Sequence, residues 1–497
     1  MLWYRIKVTA LGIALILLAV SVVKLKEAET GLNTVRMVID DTPVVITEPR
    51  DSNDVVVFLA HGFAGSTSFM RSIAVALAKS GYITVRFDFL GHGRHELPYS
   101  GDITLTSGAT RIFVDQTEMI VEKFIKDRAV SKGVIIGHSM ASDIIFRTAL
   151  TNNSLVSAIG ISTYTDVITK TDPKNVFIIN GLWEPKLRRK AIEIFQGLGI
   201  EMPEEDYVYG SFADGTARKI TTIKNADHVG ILFSTRTQEE IIEWINSVLK
   251  FDSGAEPNEI GVWVTVLFVS LIFLFIICTS YLPKNRAVKL EISKKRIIIG
   301  NLLALTLTPI VLLTYTPPIL SYAAHNYLLV HLVLYSIILC WALKLHENKN
   351  LSKNFNMLLC VSLFVFFSLI LGALLDNYVS SFYPTGPRVG LFCILLIGCI
   401  PIMITIQFIY DTKEQGTIIA NLSKLILIIS FLPALIFNFK ELFLLFYIIV
   451  LFIAFFMVFG FLSNILHRRY NNMLSVGIAN GGALSWTFST ALPLYVL

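Results

Sequence analysis

An α/β domain with a mostly parallel sheet, joined to an all-α polytopic membrane domain, is the fold class this sequence predicts. Three observations lead there. The 497 residues are 54% hydrophobic and only 16% charged, with a mean hydropathy of +0.64, too apolar for a chain that lives wholly in water. The charge is segregated: residues 27–258 carry acids and bases at ordinary globular density, whereas from Ile260 onward long apolar runs alternate with short polar breaks. Within the polar half, short β-branched runs alternate with stretches of helical apolar spacing.

At the N-terminus, Arg5 and Lys7 precede an apolar stretch over 8–23. That stretch is short for a span and has the length of a signal-peptide core. Yet no small-x-small cleavage site follows it, Lys24 and Lys26 come directly after, and Trp3 and Tyr4 supply interface anchors. The expectation is an uncleaved membrane anchor over 1–26.

The α/β domain is expected over 45–250. Its candidate strands are 55–60, 82–87, 133–137, 156–161, 175–180 and 218–223, with helical spacing over 68–80 and 112–127. Runs that are apolar throughout suit strands buried on both faces, and the strand–helix–strand rhythm places helices on both sides of a parallel sheet.

The membrane domain is expected over 258–497, with about eight helices long enough to cross a hydrocarbon core of ~30 Å. They fall at 260–282, 297–315, 326–345, 355–375, 389–410, 418–437, 441–462 and 474–496. Break 283–296 holds six basic residues and one acid. Lys344, Lys349 and Lys353, and then Arg468 and Arg469, recur on alternate breaks, while those between are poor in Lys and Arg. Positive charge marks the cytoplasmic side. The N-terminus ahead of Arg5 and Lys7 is then cytoplasmic, the α/β domain is extracytoplasmic, and the chain crosses about nine times. His325, Asn326, Asp376 and Asn377 fall on the outer side, under the α/β domain, where they could help shape a lipid entrance, although loop residues of this kind are usually just solvated. Ionisable residues within the spans are scarce, His331 being one, which argues against ion-coupled transport.

All five cysteines lie in apolar runs, so the polar half has neither a disulfide framework nor a Cys-ligated zinc. The net charge of +5 comes mostly from the basic breaks, and no nucleic-acid footprint is read from it.

In "GVIIGHSMASDIIFRTAL" (133–150), Ser139 falls where a strand gives way to a helix. So tight a turn needs small residues two before and two after the serine, and it pushes Oγ into the open; Gly137 and Ala141 hold those positions. Upstream, "AHGFAGS" (60–66) follows a strand, so that the Phe63 N–H can point at a developing oxyanion with the Met140 N–H as second donor. "FDFLGHGRH" (87–95) is another strand end running into a glycine-rich turn. Glu184 in "VFIINGLWEP" and His228 in "TTIKNADHVG" each stand just past a strand.

At these segments the chain resembles the α/β-hydrolase superfamily, in particular its monoacylglycerol-lipase-like and serine-aminopeptidase-like branch, over about residues 50–250. H-G-F-x-G, D-x-x-G-H-G and G-H-S-M-A occur in the family's order and spacing. The resemblance implies the α/β-hydrolase fold, with Ser139 as nucleophile, Glu184 as acid and His228 as base. Chemistry asks for the same roles, since a serine hydroxyl needs an imidazole to take its proton and the imidazole needs a carboxylate to fix its tautomer. Ala141 and Glu184 stand where the family more often has Gly and Asp. Asp166, Asp172 and Asp227 are rivals for the acid, and Ser142 is a rival nucleophile. His61, His92, His95 and Asp88 read as loop hydrogen-bonders, and Asp227 as a loop cap. No cluster has metal-ligand spacing and no glycine loop fits a phosphate, so no cofactor or metal is expected.

Many members of this family carry a helical lid after the sixth strand. Here only residues 162–174 separate two strands, so an open site is expected, able to meet a bulky or membrane-held substrate. The long connection 198–220 reads as a small hairpin, and the basic cluster from Lys186 to Lys190 as a solvated helix face. The expected function is a membrane serine hydrolase that cleaves an acyl ester of a lipid or lipid-linked envelope substrate through an acyl-enzyme on Ser139. A peptidase or acyltransferase with the same triad, and a non-catalytic membrane scaffold with a degenerate hydrolase fold, remain the alternatives.

Overall fold

A computed structural model describes residues 2–102, 105–128, 130, 132–254, 257–284, 290–345, 355–413 and 416–497. Lys349, Lys353 and part of the basic break (285–289) lie outside the described residues, as do the side chains of Trp3 and Tyr4. The chain forms two compact units: Ala19–Leu267 with Asp376–Ser381, and Met1–Leu18 with Phe268–Leu375 and Phe382–Leu497.

In the first of these, eight strands form one sheet: β1 (Leu32–Ile39), β2 (Thr42–Pro49), β3 (Val56–Ala60), β4 (Ile83–Phe87), β5 (Gly133–His138), β6 (Leu155–Ile161), β7 (Val176–Gly181) and β8 (Arg218–Ile223). Their order is β1-β2-β4-β3-β5-β6-β7-β8. All pairs among β3 to β8 are parallel, and all six strands expected from the sequence are present. The hairpin β1–β2, antiparallel to β4, is an addition. β1 exposes most of its side chains, so no buried face marks it in the sequence.

Helices α1 (Leu2–Ala28), α2 (Arg71–Lys79), α3 (Arg111–Arg128), α4 (Met140–Thr151), α5 (Pro185–Gly197) and α6 (Thr235–Leu249) complete this part of the chain. Alternate side chains of β3 serve opposite faces. Val57 and Leu59 pack in one cluster with Ile73 and Leu77 of α2 and Ile241 and Ile245 of α6. Phe58 instead meets Phe124 of α3 edge to face at 5.9 Å. Both faces are therefore covered, which is why the strands read as unbroken apolar runs. The carboxyl ends of β3 to β8 open onto the loops, the usual place for a site in such a sheet. The connection 198–220 makes one isolated antiparallel bridge, Tyr209 with Arg218, rather than a full hairpin.

The other unit is helical. Among the described residues, eight helices are long and apolar enough to cross a membrane: Arg5–Ala28, Ile260–Tyr281, Lys294–Thr314, Ala323–Ala342, Met357–Tyr378, Pro387–Tyr410, Gly416–Phe437 and Leu445–Arg469. The expected ninth span, 474–496, forms helix Met473–Ala491 but is not one of the eight, and the expectation of nine is corrected accordingly. Its Gly, Ser, Thr and Asn residues lower its hydropathy and serve close packing. A Cβ on Gly477 would stand 2.7 Å from Ile404 Cα, and one on Gly481 2.6 Å from Ile400 Cα, so this helix lies directly against Pro387–Tyr410.

Three buried polar side chains of this unit find partners inside it, which suits a bilayer core without water. Lys424 Nζ donates to the Tyr410 hydroxyl at 2.8 Å, and His331 Nε2 lies 2.7 Å from Ser430 Oγ. Arg388 donates to the carbonyls of Ser489 and Leu492 at 3.0 and 2.7 Å. His325, Asn326 and Asp376 are buried, not solvated as expected.

Candidate active site

Ser139 sits at the junction of β5 and α4 with φ +55° and ψ −118°, a strained setting for a residue with a Cβ. The turn is closed by contact between its two small neighbours. A Cβ on Gly137 would stand 2.4 Å from the Ala141 carbonyl oxygen, so no larger residue fits. The Ser139 N–H donates to Ile161 O at 2.8 Å, tying the turn to the end of β6.

The imidazole of His228 faces this serine. Ser139 Oγ lies 2.9 Å from His228 Nε2, and His228 Nδ1 lies 2.5 Å from Glu184 Oε1. With the carboxylate accepting from Nδ1–H, Nε2 is left to accept from the serine hydroxyl. Glu184 comes from the turn between β7 and α5, and its other oxygen accepts from the Gly181 N–H at 2.6 Å and the Ser162 hydroxyl at 2.9 Å. Burial pushes the Glu184 carboxyl up, but the hydrogen bonds from His228, Gly181 and Ser162 outweigh it and hold the group below the usual carboxylate range. His228 remains 47% exposed at its side chain, so the site is open.

The turn after β3 lies against the serine. A Cβ on Gly62 would stand 3.0 Å from Ser139 Cβ, which places the Phe63 backbone next to Ser139. Met140 opens α4, where the first N–H groups of a helix lack intrahelical acceptors. His61 is buried. Its Nε2 accepts from the Phe89 N–H at 3.1 Å, so its proton is on Nδ1, 2.8 Å from Gly62 O. Burial holds the His61 imidazole below its usual range, neutral. Asp88 accepts from the Thr67 N–H at 2.6 Å and the Arg94 N–H at 2.9 Å, joining this turn to the one after β4. His92 Nδ1 bonds to Leu90 O at 2.8 Å, and His95 Nδ1 accepts from the Leu97 N–H at 3.2 Å. These side chains build the loops.

The rival acids are engaged elsewhere. Asp227 caps the N–H groups of Val229 and Gly230, and Asp166 pairs with Arg147. Asp172 accepts from the Thr171 hydroxyl. Ser142 is buried, donating to Ser139 O at 2.6 Å and accepting from the Tyr164 N–H at 3.1 Å. Among the described residues, no group of three or more His, Cys, Asp or Glu could hold a metal ion.

Two residues of the site were not singled out in the sequence. Ser162, with φ +54°, sits at the end of β6 and holds Glu184. A serine directly after a buried strand was the available signal. His138 lies beneath His228, with ring centroids 4.9 Å apart, and its Nε2–H donates to the His228 carbonyl at 2.8 Å. Burial, with the nearby His228, pushes its pKa down to about 3, so it stays neutral. Its place inside the G-H-S-M-A motif hid a separate role.

Residues 51–202 match the model of the serine aminopeptidase family. No curated protein matches the chain. Similar solved structures include a soluble variant of monoglyceride lipase from Saccharomyces cerevisiae, 16% identical, covering 44% of this chain and 94% of that one, with a TM-score of 0.31. A CIB-like hydrolase from Thermoplasma acidophilum is 16% identical over 44% of this chain and 98% of its own, at 0.32. A membrane phospholipase A described as a bacterial virulence factor is 13% identical over 48% and 93%, at 0.33.

The Ser162 hydroxyl stabilises the charged form of Glu184, which gives a pH-dependent expectation. A depressed carboxyl pKa contributes stability above the unfolded value, near 4.5, and loses it as pH falls through the folded value. Ser162→Ala should therefore destabilise the domain by about 1–2 kcal/mol at neutral pH. The deficit should shrink in acid, read as the difference in melting temperature between variant and wild type across pH. A deficit equal at all pH values would contradict this.

Proposed function

We propose that the polar half of this chain is an α/β-hydrolase domain and that the protein is a membrane-embedded serine hydrolase acting on an acyl ester of a lipid or lipid-linked envelope molecule. The observation that carries the reading is the hydrogen-bonded chain from Ser139 Oγ through His228 to Glu184. In the proposed reaction, His228 Nε2 takes the hydroxyl proton as Ser139 Oγ attacks the acyl carbonyl. Glu184 holds the Nδ1–H tautomer and stabilises the imidazolium. The Phe63 and Met140 N–H groups receive the oxyanion. Collapse of the tetrahedral intermediate expels the alcohol, which takes the proton from His228 and leaves an ester on Ser139. Water, deprotonated by the same imidazole, then attacks the ester carbonyl, and the Ser139 Oγ–acyl bond breaks to release the acid as His228 returns the proton to Oγ.

Apolar side chains flank the triad in sequence. Leu182 and Trp183 precede Glu184, Val229 follows His228, and Tyr164 follows the Ser162 turn; Trp183 and Tyr164 are 63% and 66% exposed. Such a rim, with no helix between β6 and β7 among the described residues, suits an acyl chain delivered from a bilayer. A second reading, hydrolysis of a peptide bond by the same triad, is favoured by the family description, serine aminopeptidase.

The proposed topology puts the N-terminus in the cytoplasm and the hydrolase domain outside it. Arg5 and Lys7 at the start of the first span and the basic break 283–296 support it independently. The hydrolase unit includes 19–28, 260–267 and 376–381, and the charge rule places the first two at the outer ends of their spans and the third on the outer side.

Two outcomes are expected. The full chain should hydrolyse 4-nitrophenyl esters, longer acyl chains better than acetyl, and Ser139→Ala or His228→Ala should lower kcat by about 10³-fold or more with substrate still bound. Faster cleavage of an aminoacyl 4-nitroanilide than of any ester would favour the peptidase reading. Met202, 85% exposed, provides the test of sidedness. In intact cells, Met202→Cys should react with a membrane-impermeant maleimide, with the parent chain as control. Reaction only after permeabilisation would reverse the topology.

A further inference from the structure

The hydrolase unit is discontinuous in sequence, since Asp376–Ser381 belongs to it along with Ala19–Leu267. This short segment stands against the turn that leads from β3 to α2 and carries Phe63. The Ser381 N–H donates to Ser66 Oγ at 2.9 Å, and the Ser68 hydroxyl donates to the Asp376 carbonyl oxygen at 2.6 Å. The Asp376 carboxylate pairs with Arg94 at 2.6 Å and is only 5% exposed as a residue. Arg71, at the start of α2, donates to the Asn377 backbone and side-chain oxygens at 3.0 and 3.3 Å, and is paired with Glu29 through both of its oxygens at 2.7 Å.

The turn needs such support. Residues 61–70 lie between a strand and a helix, outside any ladder. One side is held by Asp88, through Thr67, and by Arg86, whose guanidinium donates to Thr67 O at 3.0 Å. Ser66 and Ser68, on either side of Thr67, are held by residues more than three hundred positions later. Arg94 ties the two anchors together, since its N–H donates to Asp88 and its guanidinium pairs with Asp376. An oxyanion donor works only when held in place before the reaction, and a misplacement of ~1 Å can cost about 10²-fold in rate.

We propose that Asp376 and Ser381 are positioning residues for the oxyanion donor, completing from a distant part of the chain the clamp that fixes the β3–α2 turn. This rests on the proposed hydrolase reading. The residues touch no substrate and act through Ser66, Ser68 and Arg94. Their expected signature is a loss in kcat at nearly constant KM, because the donor bonds more strongly to the transition state than to the bound ester.

The test uses the full chain in its membrane, a 4-nitrophenyl ester and the variants Ser68→Ala, Asp376→Asn and the pair combined. Each single change should lower kcat by about 10- to 100-fold and slow fluorophosphonate labelling in parallel, with KM little altered. The double variant should lose no more than the worse single, because both act on one clamp. Ser68→Thr, which keeps the hydroxyl, should recover most of the rate. Wild-type kcat in both single variants, or losses confined to KM, would overturn the proposal. So would a loss that follows the melting temperature and is not repaired by Ser68→Thr. A wild-type chain that neither cleaves esters nor takes the probe would instead remove the hydrolase reading, and this inference with it.

Discussion

The contact between Gly137 and Ala141 is the constraint on which the rest of the site depends. It closes the strand-to-helix turn so tightly that Ser139 is driven to a positive φ, at a cost of order 1–3 kcal/mol. The strain persists because a buried parallel strand enters the turn and a helix packed on the sheet leaves it. In return, the hydroxyl is held at the carboxyl edge of the sheet, and the Met140 N–H comes from the same turn. Ser142, one helical turn on, has its hydroxyl taken up by Ser139 O and the Tyr164 N–H.

Behind the serine, a layer of buried polar groups fixes the geometry. Glu184 accepts hydrogen bonds from His228, Gly181 and Ser162, and these rather than solvent keep it charged in a largely buried place. His138 holds the backbone of His228 and stays neutral because it is buried. His61 and Asp88 do the same service for the turn carrying Phe63. Each group sits at the carboxyl end of a parallel strand or on the loop leaving it, so one topological feature of the sheet delivers them all to one edge.

Much of this was legible in the sequence, for physical reasons that also mark the gaps. The six parallel strands announced themselves because both faces are covered. β1 did not, because its side chains face solvent. Ser139, Glu184 and His228 were readable because a tight turn and a chain-order pattern constrain residue type. Ser162 and His138 were not, since supporting a carboxylate or a carbonyl leaves no such pattern. The helix Met473–Ala491 read as a span by position, yet its small polar residues record close packing against Ile400 and Ile404. Asp376 and Ser381 were invisible as parts of the site because sequence distance hides a bond spanning more than three hundred residues.

The central claim is that Ser139 is an activated nucleophile. The most direct measurement is to label the membrane-embedded wild-type chain with a fluorophosphonate, digest it and locate the adduct by mass spectrometry. A single adduct on Ser139 is expected, on the peptide that contains Gly137 to Ala141. An adduct on Ser142 or another serine, or no adduct on a folded chain, would contradict it.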